Sequence, residues 1–137
     1  MKIKLEPYAY APNRAHSTDA GLDIMSPVGM VKIPARGNAV IDTGVHVELP
    51  EGTVGFLKSK SGLNVKCGIV SEGVIDVGYT GTIKVKLYNL SDEDYYVYRG
   101  DKITQLVVFK CDFPEVEVVE DLKETERGDN GFGSTGR

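Results

Sequence analysis

The residues best equipped for chemistry lie near the C-terminus, in Arg127-Gly128-Asp129-Asn130-Gly131-Phe132-Gly133-Ser134-Thr135-Gly136. Glycines let backbone N–H groups converge on an anion. Ser134 and Thr135 add hydroxyl donors, and Arg127 adds a planar fork suited to phosphate oxygens. Phe132, the one large apolar residue among them, can stack on a base. Composition alone leaves a tail of chance sequence equally open.

A second stretch, Gly73-Val74-Ile75-Asp76-Val77-Gly78-Tyr79-Thr80-Gly81, ends an apolar strand on a carboxylate and follows it with an aromatic ring between glycines. Asp76 can orient or deprotonate a water and Tyr79 can press on a sugar, although a plain hairpin turn uses the same residues. In Ala20-Gly21-Leu22-Asp23-Ile24, an Asp between apolar strand residues requires a partner or a wet cavity. Binding a metal-water shell is one answer and a local turn hydrogen bond another. Lys58-Ser59-Lys60-Ser61-Gly62-Leu63 offers cations and hydroxyls for a phosphate, or a solvated loop. Arg99-Gly100-Asp101-Lys102-Ile103-Thr104-Gln105-Leu106 leads from a tight turn into a strand whose Gln105 amide can donate to phosphate, or simply face solvent.

The elements that must hold these residues have the periodicity of strands. Lys2 to Leu5, Val45 to Leu49 and Thr82 to Leu87 alternate polar with apolar, which puts one face in a core and the other in water. Val54 to Leu57, Tyr95 to Tyr98, Ile103 to Phe109 and Val116 to Val119 are further β-branched or aromatic runs. Turn residues separate them at short intervals. No window carries a helical apolar stripe, and one short helix around Leu63 to Cys67 is the exception expected. The fold class is therefore all-β, a distorted jelly roll or barrel. After Val119 the composition turns charged, then rich in Gly, Ser and Thr. That places a β domain over residues 1–120 and a flexible C-terminal arm over residues 121–137.

The 137 residues suffice for one core. The net charge of −4 argues against a nucleic-acid binder that relies on bulk positive charge. The 2 cysteines suit a reducing compartment better than a disulfide framework or a zinc site. No stretch approaches the ~20 apolar residues of a membrane span, and the N-terminus has no signal-peptide core. The expected location is the cytoplasm, or that of an infected host cell.

Taken in order, AGxD, SGL, GVIDxxY, RGDxIxQL and RGxxGFGSTG resemble the five motifs of the trimeric dUTPase family, over about Asp19 to Gly136. The resemblance implies a jelly-roll homotrimer that hydrolyses dUTP to dUMP and pyrophosphate at shared active sites, with Mg²⁺. It implies that Asp76 holds the attacking water. Tyr79 would pack under deoxyribose and exclude a 2′-hydroxyl. The backbone of a hairpin around Val70, Gly73, Val74 and Ile75 would pair with uracil. Ser61 and Gly62, with Lys60 and Gln105, would contact the phosphates, and Asp23 would support the Mg²⁺ hydration shell through water. From the arm, Phe132 would stack on uracil, while Arg127, Gly133, Ser134 and Thr135 would close over the phosphates.

Four positions depart from the family pattern: Lys60 stands where Arg is usual, Gly78 where an acidic residue is usual, Thr80 where Arg is usual and Thr82 where an acidic residue is usual. Lys60 keeps the charge and loses the bidentate fork. Lys60 and Gly78 favour an alternative, a nucleotide-sensing protein on the same fold with hydrolysis weak or lost. A dCTP deaminase shares the fold but uses a Glu as proton shuttle, where this chain has Asp76. The two Arg-Gly-Asp tripeptides would suit an extracellular adhesive protein, which would need export.

Overall fold

A computed structural model describes residues 1–130. It has nine strands and one short helix: β1 (Lys2–Leu5), β2 (Gly21–Met25), β3 (Val31–Ile33), β4 (Asn38–Glu48), β5 (Thr53–Lys58), α1 (Ser61–Cys67), β6 (Ile69–Ile75), β7 (Thr82–Asn89), β8 (Tyr95–Val97) and β9 (Lys102–Lys110). Seven strands form one curled antiparallel sheet in the order β1-β4-β7-β6-β5-β9-β2, and β3 pairs with β8 in a second, small sheet. The all-β jelly-roll expectation matches this architecture.

The alternation read in β7 decides its faces. Ile83, Val85 and Leu87 are fully buried, while Lys84, Lys86 and Tyr88 point outward. The core is aliphatic: Ile24, Ile33, Ile41, Val45, Val47, Ile69, Ile103 and Leu106 meet β7 inside the curl. Two polar side chains buried with them are fully satisfied. Asn89 donates from Nδ2 to the carbonyls of Ile33 and Glu93, and Thr43 donates to the carbonyl of Ile83.

Strand β6 is the hinge of the architecture. Its first residues, Ile69 to Ser71, pair with β7, whereas Glu72 to Ile75 pair with β5. The sheet curls by this change of partner, and the two strands of the β6–β7 hairpin separate towards its tip. In an antiparallel ladder alternate residues aim their N–H and C=O groups to opposite sides. Over Glu72 to Ile75 half of those groups therefore face away from β5, into the split, where no backbone partner meets them among the described residues.

One strand expectation fails. The alternation of Val116 to Val119 forms no strand; β9 ends at Lys110, and Val116 and Val118 are 91% and 94% exposed. Alternation gives a strand only where a sheet edge accepts it, and within this chain the segment meets none. The helix begins at Ser61, two residues before the expected start, and closes on Gly68 at φ 66°, where a residue without Cβ is favoured.

Candidate functional site

At the tip of the β6–β7 hairpin, Asp76 follows the last residue of β6 and opens a turn in which the Tyr79 amide donates to the Asp76 carbonyl at 3.0 Å. The Asp76 side chain is exposed and its carboxylate has no hydrogen bond among the described residues. Tyr79 folds back over Gly81 and donates from its hydroxyl to the Thr82 carbonyl at 2.8 Å. A Cβ on Gly81 would lie 2.6 Å from that hydroxyl and 2.7 Å from the ring carbon bearing it, so glycine is what lets the hydroxyl end of the ring sit there. Val74, Ile75, Asp76, Tyr79 and Lys84 line a pocket of about 230 Å³ in the split. Lys84 makes no ion pair among the described residues and was not singled out from the sequence. The signal was present: alternation in Thr82 to Leu87 puts Lys84 on the wet face, beside the turn.

The turn is braced from β4. His46 places Nδ1 2.8 Å from the Thr80 carbonyl and Nε2 3.1 Å from the Glu6 carboxylate. Thr82 donates to Asp42 at 3.0 Å. The departure at 82 thus makes a side-chain contact within this chain, position 80 contributes only its backbone carbonyl, and a Cβ on Gly78 would meet open space.

A second cluster gathers where β2, β9 and β5 run side by side. The register aligns Asp23 with Gln105, and Gln105 with Lys58. Asp23 is 4% exposed. Its two carboxylate oxygens are each held by an ammonium group, Oδ1 by Lys60 and Oδ2 by Lys102 at 2.8 Å. Burial alone would push this carboxyl up; the hydrogen bonds from Lys102 and Lys60 outweigh it and hold the carboxyl below its ordinary value. Gln105 lies over Gly21, where a Cβ would collide with its amide oxygen, and donates from Nε2 to the Ser59 carbonyl at 3.0 Å. Ser59 in turn exchanges hydrogen bonds with the Ser71 backbone. Ser61 and Gly62, exposed in the first turn of α1, follow directly on Lys60. Lys102, too, was given no role from sequence, and Ser59, read there as a hydroxyl for phosphate, instead spends its hydroxyl on the Ser71 backbone.

The family model described as dUTPase matches residues 7–136. The chain belongs to the dUTPase family. A deoxyuridine 5'-triphosphate nucleotidohydrolase of Arabidopsis thaliana is 47% identical over 134 residues, 97% of this chain and 80% of its own length. One from Paramecium bursaria Chlorella virus 1 is 44% identical, over 97% and 94%. Among solved structures, the dUTPase of Staphylococcus bacteriophage 80alpha with dUpNHpp superposes with a TM-score of 0.88 at 34% identity, over 99% of this chain and 98% of that one. A dUTPase from phage phi11 of S. aureus, described as coordinating a structural Mg(II) ion, superposes at 0.80 with 32% identity over 88% of this chain.

For a dUTPase, the residues expected from sequence fall into two groups and a remainder. Gly73, Val74, Ile75, Asp76 and Tyr79 converge on the hairpin split, with Val70 in its closed part opposite Tyr88. Asp23, Lys60, Ser61, Gly62 and Gln105 belong to the second cluster. Arg127 is in an exposed turn, donating to the Asn130 carbonyl at 2.9 Å. Phe132, Gly133, Ser134 and Thr135 lie outside the described residues.

The donor set at Asp23 does not suit magnesium. No group of three or more His, Cys, Asp or Glu side chains able to hold a metal occurs among the described residues. The carboxylate already carries two cations. At an effective dielectric of about 20, a dication about 4 Å from the carboxylate gains about 8 kcal/mol, and each ammonium about 5 Å away opposes it by about 7 kcal/mol. Repulsion wins, even with solvent screening at the half-exposed Lys102.

Proposed function

We propose that this chain hydrolyses dUTP to dUMP and pyrophosphate. The observation that carries the reading is the split hairpin, in which an unengaged carboxylate, a sugar-sized aromatic face and unpaired backbone groups line one pocket. Uracil offers a donor flanked by acceptors, which backbone C=O and N–H groups at 73–75 can match. Cytosine would leave a buried group unpaired. The Tyr79 ring, held over Gly81, would crowd a 2′-hydroxyl. Asp76, exposed and without a hydrogen-bond partner among the described residues, holds a water in line with the α-phosphorus and takes up its proton late in the attack. The reaction is otherwise one of placement and charge neutralisation along the triphosphate.

A pocket of about 230 Å³ is below the roughly 300–1,000 Å³ of sites that enclose a ligand of nucleotide size. This supports a site completed by other copies of the protein, in a homotrimer. One subunit's split would receive the base and sugar, another's Lys60, Ser61 and Gln105 would take the phosphates, and the arm, residues 121–137 with Arg127, Phe132, Gly133, Ser134 and Thr135, would close over the nucleotide. Closure excludes water and completes the charge clamp. Magnesium belongs in this reading to the nucleotide's own phosphates, where it neutralises their charge. The half-buried thiols Cys67 and Cys111 are consistent with a reducing cytoplasm.

Pyrophosphate release from dUTP, dTTP, dCTP and UTP, with and without Mg²⁺, tests the reading. Release from dUTP in strong preference to the other three is expected. A protein that leaves dUTP intact in the presence of magnesium would overturn it. Light scattering of the same sample should give three times the mass of one subunit.

A further inference from the structure

We infer that Asp23 pins a two-lysine seat for the nucleotide's phosphates, made by Lys60 and Lys102, and that it is not a support for the metal. The inference rests on the dUTP-hydrolase reading. Its ground is the double ion pair: one buried carboxylate holds an ammonium on each oxygen. The two oxygens of a carboxylate are close together, so the arrangement gathers two positive charges in one place on a protein whose net charge is −4. With the carboxylate counted, the spot carries about one unit of positive charge, which attracts phosphate oxygens and repels a dication. An ammonium has three donors. Lys60 and Lys102 each use one on Asp23 and keep the others for a ligand, on side chains that are 26% and 42% exposed.

The surroundings suit an anion. Ser61 follows Lys60, and Gln105, three residues after Lys102 on β9, has one amide hydrogen engaged by the Ser59 carbonyl and a second uncommitted. Lys60 lacks the fork of an arginine, so a single lysine would bind phosphate as a mobile point charge. Pinning it to Asp23 fixes its position, and Lys102 supplies the second donor that a fork would have provided through its second nitrogen, with a further positive charge. Lys102 thereby becomes a phosphate-binding residue and Asp23 a positioning residue.

The test is calorimetric titration of the full-length protein with dUpNHpp, in EDTA and again in Mg²⁺. Lys102→Met should weaken metal-free binding about tenfold, the loss of one charge-assisted hydrogen bond, and Lys102→Arg should restore it to within about threefold of the parent. Asp23→Asn should weaken binding in both buffers by the same factor, leaving the gain from magnesium as in the parent. Metal-free binding unchanged in Lys102→Met would overturn the seat. So would an Asp23→Asn variant that binds normally in EDTA but gains nothing from magnesium. If Asp23→Asn does not fold, the two Lys102 variants decide the matter. The parent's release of pyrophosphate from dUTP separates the two levels: a parent that hydrolyses dUTP while its variants bind as it does loses the seat alone, and a parent that does not hydrolyse loses the underlying reading.

Discussion

Asp76 and Asp23 enter the sequence in similar company, Val-Ile-Asp-Val and Gly-Leu-Asp-Ile, and the fold treats them in opposite ways. Asp76 lies just past a strand end, at a turn, exposed and with its carboxylate unengaged among the described residues. Asp23 is in mid-strand, its backbone bonded to Asn13 on one side and its carboxylate to two lysines. A carboxylate that must grip and release a water has to be left without competing partners. One that must hold other side chains in place has to be buried and saturated. On the proposed reading, reactivity and scaffolding are divided between two copies of the same residue type, and stability should follow one of them while turnover follows the other.

The sharpest way to break this division is Asp76→Asn. Turnover should fall by about a hundredfold or more, the range of general-base contributions, with dUpNHpp affinity within about threefold of the parent and the unfolding midpoint unchanged. Near-normal turnover would remove Asp76 from the reaction. Gly81→Ala presses on the other half of the hairpin tip: the new Cβ displaces the Tyr79 ring. KM for dUTP should rise about tenfold, and the preference over UTP should shrink. An unaltered preference would mean that the ring does not police the sugar.

Asp23→Asn should move stability instead. Removing one partner of a buried ion pair costs about 3–5 kcal/mol; with Lys102 half exposed, about 2 kcal/mol is expected in urea titration. The pH dependence follows the same residue. The folded carboxyl is held below its ordinary value, so its stabilisation is complete above the unfolded value of about 3.9 and disappears as pH falls through the folded one. Below about pH 4 the parent should lose stability faster than Asp23→Asn, and parallel curves would contradict that. The smallest effect belongs to Lys60→Arg, where pyrophosphate release should equal or exceed the parent's. A large loss would mean that the pocket has adapted to lysine.

How much of this was legible in the sequence depends on the distance over which each feature is decided. The faces of β7 were legible because alternation from Thr82 to Leu87 is local. The hairpin residues were legible because Gly73 to Gly81 are contiguous, and the ring-over-glycine packing joins neighbours. Lys102 was passed over because its importance comes from a carboxylate far away in the sequence, reached only once β2 and β9 pair. Asp23 was legible as needing a partner, but of the two readings offered, metal shell and turn hydrogen bond, neither was the pair of ammonium groups that the register brings to it. Val116 to Val119 misled for the complementary reason: its alternation is real, but no strand edge within the protein receives it.

The change of partner along β6 has a consequence for how this protein can vary. Because the opening between β6 and β7 is bounded by backbone groups, a base received there, as proposed, would be chosen by strand spacing rather than by side-chain identity. On that reading, outward-facing positions of β6 that do not line the pocket, such as Glu72, are free to drift over generations without altering which nucleobase is admitted. The same property resists redesign: retargeting the pocket to another base would mean rebuilding the path of the backbone, since exchanging residues along it would leave the reader unchanged.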